Sequence, residues 1–264
     1  ENTYAGGYDL ASIFVWNGST VEDTVQEIVD SGTVVNCFYQ DLGKVKVPFI
    51  YASEKEAAFK MGEAAATAWT TQHPDKPVKY AVIGWMENPT VEAERTNPFI
   101  EGVKSVAPDA EEVAMLDAGE GTDAAYKAAQ DLLQAHPEVN IVYGESNDLT
   151  IGILSAFREA GRGTAKDGIV DTEVLVSTDC PASEIIDVYD PSCSLKVTMM
   201  MTPYDNAVAR IDNLMDIYLG KCKQISDPQE LIYTQDYEID FWNVDPEEAI
   251  ENYNYQYMGN LTMD

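Results

Sequence analysis

Three polar marks each sit just downstream of an apolar run of strand length: Glu94-Arg95, Asn147-Asp148 and Asp179. The runs are Tyr80-Ala81-Val82-Ile83-Gly84, Asn140-Ile141-Val142-Tyr143-Gly144 and Glu173-Val174-Leu175-Val176-Ser177, and a helical pattern follows each. An arginine offers a planar fork of donors, an amide both donates and accepts, and a carboxylate accepts. In a parallel α/β sheet the carboxyl ends of the strands open onto one crevice, where ligands sit. The three marks together predict a compact hydrogen-bonding pocket. Each taken alone fits a helix cap or a surface ion pair equally well.

The elements that must position these groups alternate along the chain. Leu10 to Trp16 is an apolar strand, followed by a cap-like Ser19-Thr20 and a helix whose apolar residues fall at 21, 25, 28 and 29. Strands at 33–38 and 47–51 follow, and Ser53 is expected to cap a long alanine-rich helix over 54–71. Further strands are expected at 80–84, 112–116, 140–144, 173–177 and 194–200, with helices at 91–106, 122–135, 148–160, 182–189 and 203–219. Continuous apolar strands separated by helices predict a parallel sheet covered on both faces. The tail reads as one strand over 231–237, then a short helix opened by Asp245-Pro246-Glu247-Glu248. The two histidines, in Gln72-His73-Pro74 and Ala135-His136-Pro137, punctuate helix exits at the edge of the sheet opposite the crevice.

Composition excludes several functions. Lys+Arg 16 against Asp+Glu 46 gives a formal charge of −30, a field that repels nucleic acid. Cys37, Cys180, Cys193 and Cys222 form neither a C-x-x-C pair nor a zinc spacing, and no cofactor or metal is expected. No stretch approaches the ~20 apolar residues of a membrane span. Neither a Gly-x-Ser-x-Gly elbow, a G-x-G-x-x-G loop nor a His-Glu-x-x-His helix occurs, so no enzyme activity is expected.

Six stretches, in order, carry a resemblance: Ala52-Ser53-Glu54-Lys55-Glu56-Ala57-Ala58; Glu94-Arg95-Thr96-Asn97-Pro98-Phe99; Asp131-Leu132-Leu133-Gln134-Ala135-His136-Pro137-Glu138-Val139; Ser146-Asn147-Asp148 with Gly152 and Ala160-Gly161-Arg162; Ser177-Thr178-Asp179; and Thr202-Pro203-Tyr204. The chain resembles the type I periplasmic sugar-binding proteins of ABC transporters, the ribose- and galactose-binding group, from about Tyr8 to Gly220. The resemblance implies an α/β protein of two Rossmann-like lobes with parallel sheets, closing on a ligand about crossovers near Ala52 and Thr202. Lobe one would be 1–52 with 203–236, and lobe two 53–202 with 237–264. Carried onto this sequence, Arg95, Asn147 and Asp179 would meet ligand oxygens, because vicinal hydroxyls are bridged well by planar side chains.

Departures from the family pattern define further candidates. Gln40 stands where a sugar-binding Asp is usual, and Glu120 where an aromatic often stacks. Thr178 replaces an aromatic, and Met201 a polar amide. Trp85 and Met86 could supply an apolar wall, although Trp85 suits core packing equally well; Trp16, Asn17 and Ser53 complete the set. The family's first β-α-β-α unit has no counterpart ahead of Leu10, so lobe one is expected to be incomplete at the N-terminus, with an open inner edge. The function implied is an extracytoplasmic solute-binding protein, periplasmic or extracellular, with a membrane-anchored lipoprotein among the forms the resemblance allows. It would be monomeric and hand a small polar ligand, a sugar, to an ABC permease. The alternatives are a LacI-type effector-binding domain and an extracellular sensor domain of the same fold.

Overall fold

The computed structural model describes residues 6–16, 18–119 and 121–262. The chain divides into two compact units, Glu1–Ser53 with Thr202–Gln235, and Glu54–Met201 with Asp236–Asp264.

The first unit is a four-stranded parallel sheet in the order β1 (Leu10–Val15), β2 (Val34–Tyr39), β3 (Phe49–Ser53), β11 (Leu231–Gln235). Alternation along β1 buries Ala11 and Val15 on one face, where α1 (Gly18–Asp30) adds Val25 and Ile28. The other face carries α8 (Pro203–Tyr218) over a polar seam. Asn36 donates to the Arg210 carbonyl at 2.8 Å, and the Arg210 guanidinium donates to Ser12 Oγ at 2.8 Å while lying 3.7 Å from the Phe38 ring centroid. Among the described residues β1 has no partner on its outer side, leaving one row of backbone groups unpaired.

The second unit holds a six-stranded sheet in the order β12 (Tyr237–Asp240), β10 (Leu195–Met200), β9 (Val174–Val176), β6 (Ile141–Gly144), β4 (Lys79–Gly84), β5 (Glu111–Asp117). β4, β6 and β9 are buried along their whole length, except for Lys79 at the start of β4, because helices cover both faces. One face packs α2 (Lys55–Gln72) and α4 (Asn97–Val106), bringing in Met61, Trp69, Phe99 and Val103. Burying a Phe99-sized side chain contributes about 1.5–3 kcal/mol. These two helices approach backbone to backbone: a Cβ on Gly62 would lie 2.1 Å from the Phe99 carbonyl oxygen, so only glycine fits. The opposite face packs α5 (Thr122–Ala135), α6 (Asn147–Glu159), α7 (Ala182–Tyr189) and the C-terminal α9 (Pro246–Tyr257), with Asp245 capping α9.

Several expectations need correction. The single strand expected at 231–237 is two strands in two sheets: β11 runs parallel to β3, and β12 runs antiparallel to β10, with Asp236 between them. The sheet of the second unit is therefore mixed. The helix expected over 91–106 is three pieces, α3 (Pro89–Val91), a π-helical turn (Glu92–Thr96) and α4. Ser53 does not cap α2: it ends β3 opposite Gln235, and Glu54 occupies the cap position without a side-chain cap bond. A short hairpin, β7 (Ala165–Lys166) with β8 (Ile169–Val170), went unforeseen because its two-residue strands carry no periodic signal. His73 and His136 are the residues that close α2 and α5.

Candidate functional site

In the second unit the carboxyl ends of β4, β6 and β9 carry the three polar marks to one rim. After β4, Asn88 accepts from the Thr90 and Val91 backbone N–H groups at 3.0 and 3.3 Å and starts α3. The π turn that follows widens the helix and turns Arg95 inward, where it is 6% exposed. Such turns concentrate at functional sites. After β6, Ser146 caps α6 and leaves Asn147 at its first position. After β9 the chain passes through Ser177 and Thr178 to Asp179 and Cys180, both left-handed at φ +91° and +48°. Non-glycine residues so held cost on the order of 1–3 kcal/mol each and persist only where neighbours enforce them.

The marks are joined by acidic residues into one buried lattice. Arg95 directs Nε and Nη2 to the Glu54 carboxylate, with Nη2 at 3.0 Å from Oε1, and Nη1 to the Glu145 carbonyl at 2.6 Å. Burial opposes its charge, yet Glu54 and then Asp179 hold the guanidinium protonated well above its usual range. The Glu145 carboxylate accepts from Thr96 Oγ1 and from the Trp85 backbone N–H at 2.9 Å. It fits only because β4 ends in glycine: a Cβ on Gly84 would stand 1.8 Å from Glu145 Oε2. Asn147 donates its amide N–H to Glu184, which also accepts from Ser177 Oγ at 2.9 Å and from Thr198 Oγ1. Burial pushes the Glu184 carboxyl up to about 7 against those three donors.

Asp179 is the member of this lattice that faces outward, its side chain 41% exposed. Its Oδ2 accepts from the Asn147 backbone N–H at 3.3 Å, and its Oδ1 lies 4.0 Å from Arg95 Nη2. Burial raises its pKa, with Arg95 acting in the opposite sense. The arrangement presents an oriented acceptor over an arginine whose charge Glu54 already balances. It can receive hydrogen bonds from hydroxyl groups and has no spare cation for an anion.

In the first unit the carboxyl ends of β1 and β2 present aromatic rings instead. Trp16 and Tyr39 stack with centroids 5.4 Å apart and 2° between planes, and Phe14 lies 5.1 Å from Tyr39 and 5.3 Å from Phe38. Trp16 is 50% exposed, and Tyr39 is left-handed at φ +81°, which redirects the chain into Gln40.

Residues 1–221 match the family described as periplasmic binding protein domain. The chain belongs to that family. A curated relative, the ABC transporter periplasmic-binding protein YphF of Escherichia coli (strain K12), is 30% identical over 166 residues, which are 60% of this chain and 49% of the relative. The chain thus spans about half the length of that relative. Among solved structures, a Mycobacterium smegmatis protein in complex with β-D-fucofuranose has a TM-score of 0.76 at 18% identity, covering 97% of this chain and 80% of its own. The binding component of the arabinose ABC transporter from Shewanella sp. ANA-3, bound to L-arabinofuranose, has a TM-score of 0.73 at 19% identity, covering 97% and 80%. The two-unit α/β architecture, its sheets parallel except for β12, is that of these type I periplasmic binding proteins.

Within this periplasmic binding protein the foreseen residues separate into groups. Arg95, Asn147 and Asp179 come together. The fork of Arg95, expected to meet ligand oxygens, meets Glu54, and the Asn147 amide N–H meets Glu184. Trp85 and Met86 are half-buried at the same rim, leaning on the cores of opposite faces of the sheet. Trp16, Gln40 and Ser53 follow or end strands of the first unit. Asn17 and Glu120 lie outside the described residues. Glu54, Glu145, Glu184, Thr198 and the aromatic pair Phe14 and Tyr39 were missed. The glycines ending β4 and β6 were the available signal, since glycine at a strand end marks close approach of another group. Among the described residues no cluster of three acids, histidines or cysteines is placed to hold a metal ion, and no helix is long and apolar enough to cross a membrane.

Proposed function

We propose that this chain is the extracytoplasmic solute receptor of an ABC transporter, binding a neutral sugar or polyol at the Asp179 rim without chemical turnover and delivering it to a membrane permease. One observation carries the reading. A half-exposed carboxylate is held on an enforced left-handed turn, above an arginine already paired with Glu54. A carboxylate so placed recognises hydroxyl donors and repels phosphates and carboxylates. The furanose sugars bound by the two solved relatives support the same ligand class. A periplasmic setting, with or without a lipid anchor, accompanies this role.

The test is thermal unfolding of the purified chain with L-arabinose, D-galactose, D-fucose, myo-inositol and D-galacturonate, with Asp179→Ala alongside. A ligand at ~100 times its dissociation constant stabilises by about 2.7 kcal/mol. The expected outcome is stabilisation by a neutral compound, absent in Asp179→Ala, with the compound recovered unchanged. Stabilisation by galacturonate alone, or a shift that survives in the variant, would overturn the reading.

A further inference from the structure

The C-terminal helix α9 reaches the rim through one side chain. Tyr257, half-buried in its last turn, donates its hydroxyl to the backbone carbonyl of Asp179 at 3.0 Å. Three other tethers act on the same residue. The Asp179 N–H donates to the Met199 carbonyl at 3.0 Å, Oδ2 accepts from the Asn147 N–H at 3.3 Å, and Oδ1 faces Arg95. The first aligns the residue with β10, while the other two act on the carboxylate. The phenol instead holds the peptide that joins two consecutive left-handed residues, Asp179 and Cys180. Rotation of that peptide would change ψ of Asp179 and φ of Cys180, releasing the turn that carries the carboxylate and letting it shift away from Arg95.

We propose that Tyr257 is a positioning residue of the binding site, locking the Asp179–Cys180 peptide so that the Asp179 carboxylate faces outward. Burial raises the pKa of the phenol, which favours the protonated hydroxyl that serves as the donor. Its ring is fixed in turn by stacking on Tyr253, with centroids 4.6 Å apart and 17° between planes. The helix cannot drift from this position easily. Ala249 is fully buried in the core, and Asn254 ties the chain beyond the helix through bonds to Leu261 at 2.7 and 3.0 Å. The family match ends at residue 221, so the helix that supplies this contact lies outside it. The tail of the chain is thereby part of the recognition apparatus of the second unit.

The ligand side of this proposal rests on the receptor reading above, and two measurements on the whole chain keep the two separable. Amide hydrogen exchange needs no ligand. Tyr257→Phe keeps the ring and its stack but removes the donor, and should speed exchange at the Asp179 amide about tenfold, a local loss of about 1.4 kcal/mol. Tyr253→Phe, on the same helix, should leave that amide unchanged. Equal rates at Asp179 in wild type and Tyr257→Phe would overturn the proposal. So would acceleration spread evenly over the protein with a matching fall in the unfolding midpoint, since the phenol would then be merely structural. Calorimetric titration with L-arabinose and D-galactose forms the second arm. Affinity should fall about tenfold in Tyr257→Phe, hold in Tyr253→Phe and vanish in Asp179→Ala. Undiminished affinity in Tyr257→Phe would overturn the positioning role in binding. Undiminished affinity in Asp179→Ala would instead sink the receptor reading and leave the exchange result standing.

Discussion

The rims of the two units solve the same topological problem with opposite chemistry. Both are built where parallel strands end and helices begin. The second unit fills its rim with a lattice of buried Arg95, Glu54, Glu145 and Glu184 and half-buried Asn147, leaving Asp179 as its outward face. The first unit lines its rim with the rings of Phe14, Trp16, Phe38 and Tyr39, two of them about half exposed. A buried ion pair tolerates no deletion, because the surviving partner keeps its desolvation cost without compensation. A half-exposed ring loses little when truncated, because water already reaches it. The polar rim is therefore coupled to the stability of its unit, and the aromatic rim is free to be tuned.

Arg95→Ala tests that contrast most severely. It would strand the Glu54 carboxylate and should cost about 3–5 kcal/mol in denaturant unfolding. A loss under 1 kcal/mol would mean the lattice is not cohesive. Glu184 gives the next effect, read from pH. Its carboxyl is raised from the ordinary 4.5 to about 7 in the folded protein, so folding favours the protonated form. The associated stability is fully present below about pH 4.5 and is lost as pH climbs through about 7, with a slope of up to about 1.4 kcal/mol per pH unit. Glu184→Gln should lack this fall, and parallel stability–pH curves for the two proteins would refute the assignment.

Gly84→Ala is expected to cost about 1–3 kcal/mol, since its methyl group would displace the Glu145 carboxylate. A crystal structure of the variant with Glu145 unmoved would contradict that account. The smallest effect belongs to Trp16→Ala, which removes one face of the stack on Tyr39 and should change stability by about 0.5–1 kcal/mol. If it destabilises as much as Arg95→Ala, the distinction between the two rims fails.

Local pattern and tertiary context divide the molecule unevenly. The helix over Ala182–Tyr189 and the helix over Thr122–Ala135 are both legible from the sequence to the residue, because apolar spacing and flanking breakers agree there. The stretch from Leu231 is legible as extended chain but not as two strands, since alternation says nothing about which sheet a strand joins. Arg95 was foreseen at the rim. Its engagement with Glu54 was not, because the partners are 41 residues apart and a chain with 46 acids offers many equivalent candidates. Tyr257 was invisible for the same reason: a tyrosine among many in an acidic tail acquires a role only when α9 docks beside Asp179.

The sequence by itself determined the alternation of strands and helices, the burial of β4, β6 and β9, the strongly acidic net charge, and the arrival of Arg95, Asn147 and Asp179 at strand ends. All of these follow from short-range periodicity and charge, which a linear chain encodes directly. Only the tertiary structure decided which carboxylates neutralise Arg95, which way Asp179 faces, and that the tail of the chain holds it there. Those are choices among chemically equivalent partners, and in a folded chain proximity and desolvation make them.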